Sequence, residues 1–166
     1  MRQSNTAHLR IDSAEAMRSL GRQLGSALLE PSAQALIVAI QGELGAGKTT
    51  LVGGTLNALG FGGIARSPTY TLIEPYESSS RRIFHLDLYR LADPGEVEAL
   101  GLRDLLTADA VLLVEWPERG AGILPAADLT IAIHYVDAAG PDTRDVEISA
   151  HGTAGEQLRK RIMNVR

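Results

Sequence analysis

The chain has 166 residues, a formal net charge of −4 and no cysteine. This length fits one domain, so residues 1–166 are predicted to fold as a single unit. Without cysteine, disulfides and thiol chemistry are excluded, which favours a reducing compartment such as the cytoplasm. No apolar stretch is long enough for a signal peptide or a membrane span, and the acidic charge argues against a broad basic surface for nucleic acid.

The first predicted elements are a helix, a buried strand and a second helix. Asp12 and Glu15 match an N-cap and its capping-box partner, and apolar residues then recur at helical spacing up to Pro31. The continuous apolar run at 35–40 is typical of a strand buried on both faces. It leads into a glycine-rich segment that opens the second helix, which is expected to end at Gly60.

The later part of the chain predicts a mixture of strands and short helices. In chain order these are an antiparallel hairpin of strands 70–76 and 82–89 with a mobile polar tip at 77–81, a helix that begins near Pro94 and breaks near Gly101, a buried strand at 111–114, alternating strands at 129–136 and 145–149, and a basic helix at 156–165. Together the elements predict an α/β fold. Its form is a three-layer P-loop NTPase-like sandwich with a mixed parallel and antiparallel sheet.

The glycine-rich segment has the pattern of a phosphate-binding loop, the P-loop. It comprises Gly42, Glu43, Leu44, Gly45, Ala46, Gly47, Lys48 and Thr49, set between a predicted strand and a predicted helix. Backbone N–H groups at the start of such a helix donate to phosphate oxygens. Lys48 is expected to reach the β- and γ-phosphates, Thr49 to bind Mg²⁺, and Thr50 to belong to the same cofactor site. The alternative is an ordinary βα turn with a solvated lysine.

Two acids at predicted strand ends are candidates for metal binding and catalysis. Glu115 follows four apolar residues, the Walker B pattern, and Asp87 closes the strand before it. A solvated strand end would also explain Glu115, and a surface ion pair would explain Asp87. Thr69 is a candidate γ-phosphate sensor or simply part of a turn. His85 fits a structural residue better than a base.

Five sequence blocks, in order along the chain, resemble one family. They are GELGAGKTT from Gly42, RSPTYTLIE from Arg66, HLDLYRL from His85, ALGLRD from Ala99 and VEWPE from Val114. The chain resembles the bacterial TsaE (YjeE) ATPases. This resemblance implies ATP hydrolysis with Mg²⁺ in support of the threonylcarbamoyl modification of adenosine 37 in tRNAs reading ANN codons.

The resemblance also implies partners and further site residues. The partner proteins TsaD and TsaB would carry out the transfer, so tRNA is an indirect partner. By motif position, Lys48 and Glu115 would join Asp87 and Thr69 as catalytic residues. The adenine pocket would lie against the start of the first helix, at Ser13 and Ala14. One departure is Gly53, which stands where this family often has an arginine.

Two other functions remain compatible with a P-loop. A small-molecule or nucleoside kinase would need an acceptor pocket and usually an arginine-bearing lid, and no long arginine-rich insertion is visible in the sequence. A nucleotide-gated binding subunit would use ATP to set its affinity for a partner and would turn over little. The guanine-reading Asn-Lys-x-Asp motif is absent, because neither Lys48 nor Lys160 lies in it. ATP is therefore favoured over GTP.

Overall fold

The fold is built around one mixed sheet. The computed structural model describes residues 5–62 and 71–164. In these residues the sheet has seven strands, in the order β1-β7-β6-β2-β5-β4-β3. The β2–β5, β2–β6 and β4–β5 pairs are parallel, and the β1–β7, β6–β7 and β3–β4 pairs are antiparallel. The strands are β1 (Thr6–Ile11), β2 (Leu36–Gly42), β3 (Ile73–Glu77), β4 (Arg82–Asp87), β5 (Ala110–Glu115), β6 (Leu129–Tyr135) and β7 (Arg144–Ala150).

Helices cover both faces of the sheet and give it three layers. The apolar residues of α1, α2 and α5 pack in one core, and those around α3 and α4 pack in a second core on the opposite face. No helix among the described residues is both long and apolar enough to cross a membrane. The helices are α1 (Ala14–Leu28), α2 (Lys48–Ala58), α3 (Gly95–Ala99), α4 (Leu102–Leu105) and α5 (Gly152–Asn164).

The predicted α/β fold with a mixed sheet is confirmed. The buried strands β2 and β5 lie side by side at its centre, and the predicted hairpin is the antiparallel β3–β4 pair. The helix after Pro94 breaks where expected, because Gly101 adopts a left-handed φ of 68° between α3 and α4. Local signals were sufficient for these elements because buried strands and glycine breaks are encoded by neighbouring residues.

Three expectations were wrong. Strand β1 was not predicted, although it pairs with β7 along its whole length. The N-cap of α1 is Ser13 rather than Asp12: its hydroxyl accepts from the backbone N–H of Ala16 at 3.1 Å. Glu15 instead binds arginines on the exposed face of the helix. The hairpin tip is not wholly a polar surface turn, because Arg81 is only 2% exposed.

Candidate functional site

The P-loop connects the carboxyl end of β2 to the first turn of α2. Gly45 and Gly47 adopt positive φ values of 76° and 115°, which an L-residue with a side chain rarely accepts. Gly47 is also the N-cap of α2, and it supplies no side-chain hydrogen bond to the helix. The first-turn N–H groups of α2 therefore receive no side-chain cap from Gly47 and suit an anionic ligand.

Two residues that are distant from the P-loop in sequence hold its outer side. The Tyr135 hydroxyl donates to the carbonyl of Leu44 at 2.8 Å, and Arg144 Nε donates to the carbonyl of Ala46 at 3.1 Å. The Arg144 guanidinium also lies 4.2 Å from the centroid of the Tyr135 ring. Sequence reasoning missed both residues because 91 and 98 positions separate them from the loop.

Lys48 folds back over the P-loop and is only 5% exposed. Its Nζ donates to the carbonyls of Gly42 and Glu43 at 2.7 and 2.8 Å, and it lies 4.3 Å from the centroid of the Trp116 ring. Burial lowers the pKa of Lys48 below its usual 10.5, and the nearby Glu115 and other carboxylates oppose that shift. The ammonium is therefore stabilised by carbonyl oxygens, an aromatic face and negative charge together.

Glu115 ends β5 and is 2% exposed, so its carboxylate requires hydrogen-bond donors. The Thr49 hydroxyl donates to its Oε1 at 3.1 Å, and His85 Nε2 lies 2.5 Å from its Oε2. The structure thus brings Thr49 and Glu115 together, as a shared metal site requires. The sequence predicted His85 to be structural. The signal for its contact with Glu115 was its position two residues before Asp87, on the same face of the strand.

Asp87 ends β4 directly beside Glu115, with which it pairs across the parallel β4–β5 ladder. Its Oδ1 accepts from the backbone N–H of Tyr89 at 3.0 Å. No cluster of three or more His, Cys, Asp or Glu side chains among the described residues could hold a metal ion. The hydroxyl of Thr49 and the carboxylate of Glu115 still suit Mg²⁺, which takes oxygen ligands and usually completes its shell with phosphates and water.

One cleft of about 410 Å³ brings together Lys48, Thr49, Asp87 and Glu115. A smaller cavity of about 120 Å³ lies beside it, and its lining includes Ser13, Ala14, Gly45 and Gly47. Thr69 lies outside the described residues. The lining of the main cleft is Leu44, Gly45, Gly47, Lys48, Thr49, Thr50, Asp87, Tyr89, Arg90, Glu115 and Trp116.

Three features define a P-loop nucleotide-binding protein. A parallel strand ends in a glycine-rich loop, the helix after the loop begins with Lys48 followed by Thr49, and the adjacent strand carries a carboxylate. The family model described as threonylcarbamoyl adenosine biosynthesis protein TsaE matches residues 11–146. The chain therefore belongs to the TsaE family, as the resemblance implied.

Individual relatives agree with the family model. The chain is 43% identical over 143 residues to the tRNA threonylcarbamoyladenosine biosynthesis protein TsaE of Haemophilus influenzae, covering 86% of this chain and 88% of that protein. It is 38% identical over 122 residues to the protein of the same name from Bacillus subtilis, covering 74% of each chain. The crystal structure of Bacillus subtilis YdiB shares the fold, with a TM-score of 0.73 over 98% of this chain and 97% of that chain at 24% identity.

Proposed function

We propose that this chain hydrolyses ATP with Mg²⁺ in support of threonylcarbamoyladenosine formation in tRNA. The role in this modification follows from membership of the TsaE family. The observation that carries the hydrolytic step is the buried Glu115 carboxylate, which accepts from Thr49 in the same cleft as Lys48. A hydrolase needs this combination of phosphate donors, metal ligands and a carboxylate near the attacking water.

In the proposed reaction, the P-loop N–H groups and Lys48 bind the β- and γ-phosphates. Thr49 and Glu115 would hold the metal, with Asp87 beside them. Bound Mg²⁺ would neutralise phosphate charge in the transition state. Glu115 orients a water against the γ-phosphorus and takes up its proton as the bond to the ADP oxygen breaks. Water thereby supplies the new oxygen of inorganic phosphate, and ADP leaves.

The same proposal covers the nucleotide base, the partners and the cellular location. Ser13 and Ala14 line a cavity against the P-loop where adenine would bind. TsaD and TsaB are the proposed partners, with tRNA as an indirect one, and the cytoplasm is the proposed site of action. Turnover by the isolated chain is expected to be slow, because no arginine finger was evident in its sequence.

A nucleotide-gated binding subunit with little turnover is the second candidate. It is favoured by the contacts of Lys48, whose ammonium is bound by the loop carbonyls of Gly42 and Glu43 and covered by Trp116. Phosphates would have to draw the lysine out of these contacts, so nucleotide binding would change the shape of the loop. The two candidates differ in whether Glu115 contributes to a measurable rate of hydrolysis.

The test is phosphate release from ATP by the purified chain, alone and with TsaD and TsaB. We expect slow release alone and faster release with the partners. Glu115→Ala should still bind ATP but lose about 10²- to 10⁴-fold in rate, the usual contribution of a positioned acid or base. Lys48→Ala should lose nucleotide binding itself. Glu98→Ala, at an exposed position in α3, is the matched control.

Two results would contradict the proposal. One is normal hydrolysis by Glu115→Ala, and the other is equally rapid turnover with and without TsaD and TsaB. The cellular counterpart is the amount of threonylcarbamoyladenosine in tRNA from cells that lack this protein. The wild-type chain should restore the modification, whereas Lys48→Ala should not.

A further inference from the structure

His85 is a fully buried histidine inside β4, with no exposed surface. It pairs across the ladder with Leu113 of β5, so Glu115 lies two residues further along the neighbouring strand. The ring reaches this carboxylate with Nε2, 2.5 Å from Oε2. Since Oε1 accepts from Thr49, each oxygen of Glu115 has its own protein partner.

The other ring nitrogen has no such partner. Nδ1 of His85 is buried, and no hydrogen-bond partner for it exists among the described residues. A buried polar atom left unpaired costs free energy, and an apolar side chain of similar size would avoid this cost. What this histidine contributes therefore lies at its other nitrogen, Nε2. Among the described residues, its side chain hydrogen-bonds to the carboxylate of the proposed water-orienting residue.

We propose that His85 is a positioning residue, which donates from Nε2 to Oε2 and thereby fixes the plane of the Glu115 carboxylate. Because His85 holds Oε2, the other oxygen, Oε1, stays directed toward Thr49 and the phosphate end of the cleft. Without the donor, the Glu115 side chain is free to rotate about its terminal bond, which has a broad torsional preference. This inference rests on the proposed ATP hydrolysis, because it assigns His85 a part in that step.

The test compares three variants in steady-state hydrolysis and in binding of ATP with Mg²⁺. His85→Leu removes the donor but keeps an apolar side chain, and we expect its kcat to fall about 10- to 100-fold, as when a supporting hydrogen bond to a ligand is lost. Its affinity for ATP should stay within about 2-fold of wild type, because the P-loop is untouched. His85→Gln should recover part of the rate, since its side-chain amide can donate in place of Nε2.

Phe84→Leu serves as the structural control. Phe84 lies on the same strand but belongs to the core on the opposite face of the sheet, so this variant loosens β4 without touching Glu115. It should lose stability and keep its kcat. Wild-type kcat in a folded His85→Leu, equal losses in His85→Leu and His85→Gln, or a kcat loss in Phe84→Leu as large as in His85→Leu would each overturn the positioning role.

A second measurement does not depend on hydrolysis. In a chain labelled with ¹⁵N-histidine, the NMR signal of His85 should show hydrogen on Nε2 and should shift when Glu115 is replaced by Gln. If no such shift occurs, the inference fails even where the chain hydrolyses ATP. If the shift occurs while wild type hydrolyses no faster than Glu115→Ala, the proposed function fails and the His85–Glu115 contact stands.

Discussion

Arg81 is a cation buried without a carboxylate partner in hydrogen-bond contact among the described residues. Its guanidinium donates to the carbonyls of Leu28, Glu30 and Ala108, with distances of 2.8 Å to Leu28 and 3.4 Å to Ala108. Burial lowers the pKa of Arg81 below its ordinary value. Two of the three acceptors lie at or beyond the last residue of α1, where the helix leaves carbonyls unpaired and favours positive charge. One side chain thus joins the end of α1 to the start of β4.

Replacing Arg81 with Met should therefore destabilise the fold. The change removes three hydrogen bonds from a charged donor, one of them to the buried carbonyl of Leu28, and we expect the free energy of unfolding to fall by about 2–4 kcal/mol. Urea denaturation of the purified variants measures this. Arg82→Met is the control, because Arg82 makes a partly exposed 3.5 Å ion pair with Glu77 that is worth less than about 1 kcal/mol. Equal losses in both variants would contradict the assignment.

At the scale of elements, α1 and α2 pack with their backbones in contact. A Cβ added to Gly54 would lie 2.2 Å from the carbonyl oxygen of Arg18, and one added to Gly21 would lie 2.2 Å from that of Leu51. Glycine at position 54 costs about 1 kcal/mol of helix stability relative to Ala. The close packing of the two helices offsets this cost. Because α2 begins at the P-loop, this contact also fixes where the phosphate-binding turn lies.

Gly54→Ala should separate the two helices. Backbone atoms cannot move aside as a flexible side chain can, so we expect a loss of about 1–3 kcal/mol or more in the free energy of unfolding. Gly62→Ala is the control, because no atom of the described residues lies within 4 Å of a Cβ at Gly62. A Gly54→Ala chain as stable as Gly62→Ala would show that the helices can adjust without cost.

At the scale of the whole molecule, the two ends of the sheet have different roles. The carboxyl ends of β2, β4 and β5 carry the P-loop, Asp87 and Glu115, whereas Asp128 joins strands at the opposite end of β2. Asp128 Oδ2 accepts from the backbone N–H of Ile37 at 2.9 Å, and its Oδ1 accepts from Gln34. Burial nevertheless raises the pKa of Asp128 above its usual 3.8.

This raised pKa predicts how Asp128 contributes to acid stability. The folded state holds a proton on Asp128 more tightly than the unfolded state does, so the contribution of this group becomes more favourable as pH falls toward 3.8. Asparagine cannot take up the proton. As pH falls toward 3.8, the unfolding free energy of wild type should therefore rise relative to that of Asp128→Asn. Urea denaturation at a series of pH values measures this.

Asp109 provides a control of opposite sign. A hydrogen bond from Thr107 is the main cause that lowers the pKa of Asp109 below its usual 3.8. The stabilisation from Asp109 is therefore present above that pH and is lost as pH falls through its folded-state pKa. On acidification, the unfolding free energy of wild type should therefore fall relative to that of Asp109→Asn. The same trend in both variants would mean that the shift assigned to Asp128 is wrong.

The sequence by itself determined the P-loop, the buried strands β2 and β5, the break at Gly101 and the positions of Asp87 and Glu115 at strand ends. Each of these depends on a few consecutive residues, because apolar runs, glycines and strand termini encode local conformation. The family also followed from short blocks in order along the chain. The roles of the site residues remain predictions.

Only the tertiary structure decided which distant residues meet. Strand order places Tyr135 and Arg144 on the outer side of the loop and sets His85 against Glu115, and it pairs β1 with β7. The same folding buries Arg81 from an otherwise polar turn, where its sequence neighbours gave no sign of distant carbonyls. These contacts depend on how strands and helices are arranged in space, and a local pattern in the sequence carries no information about partners many residues away.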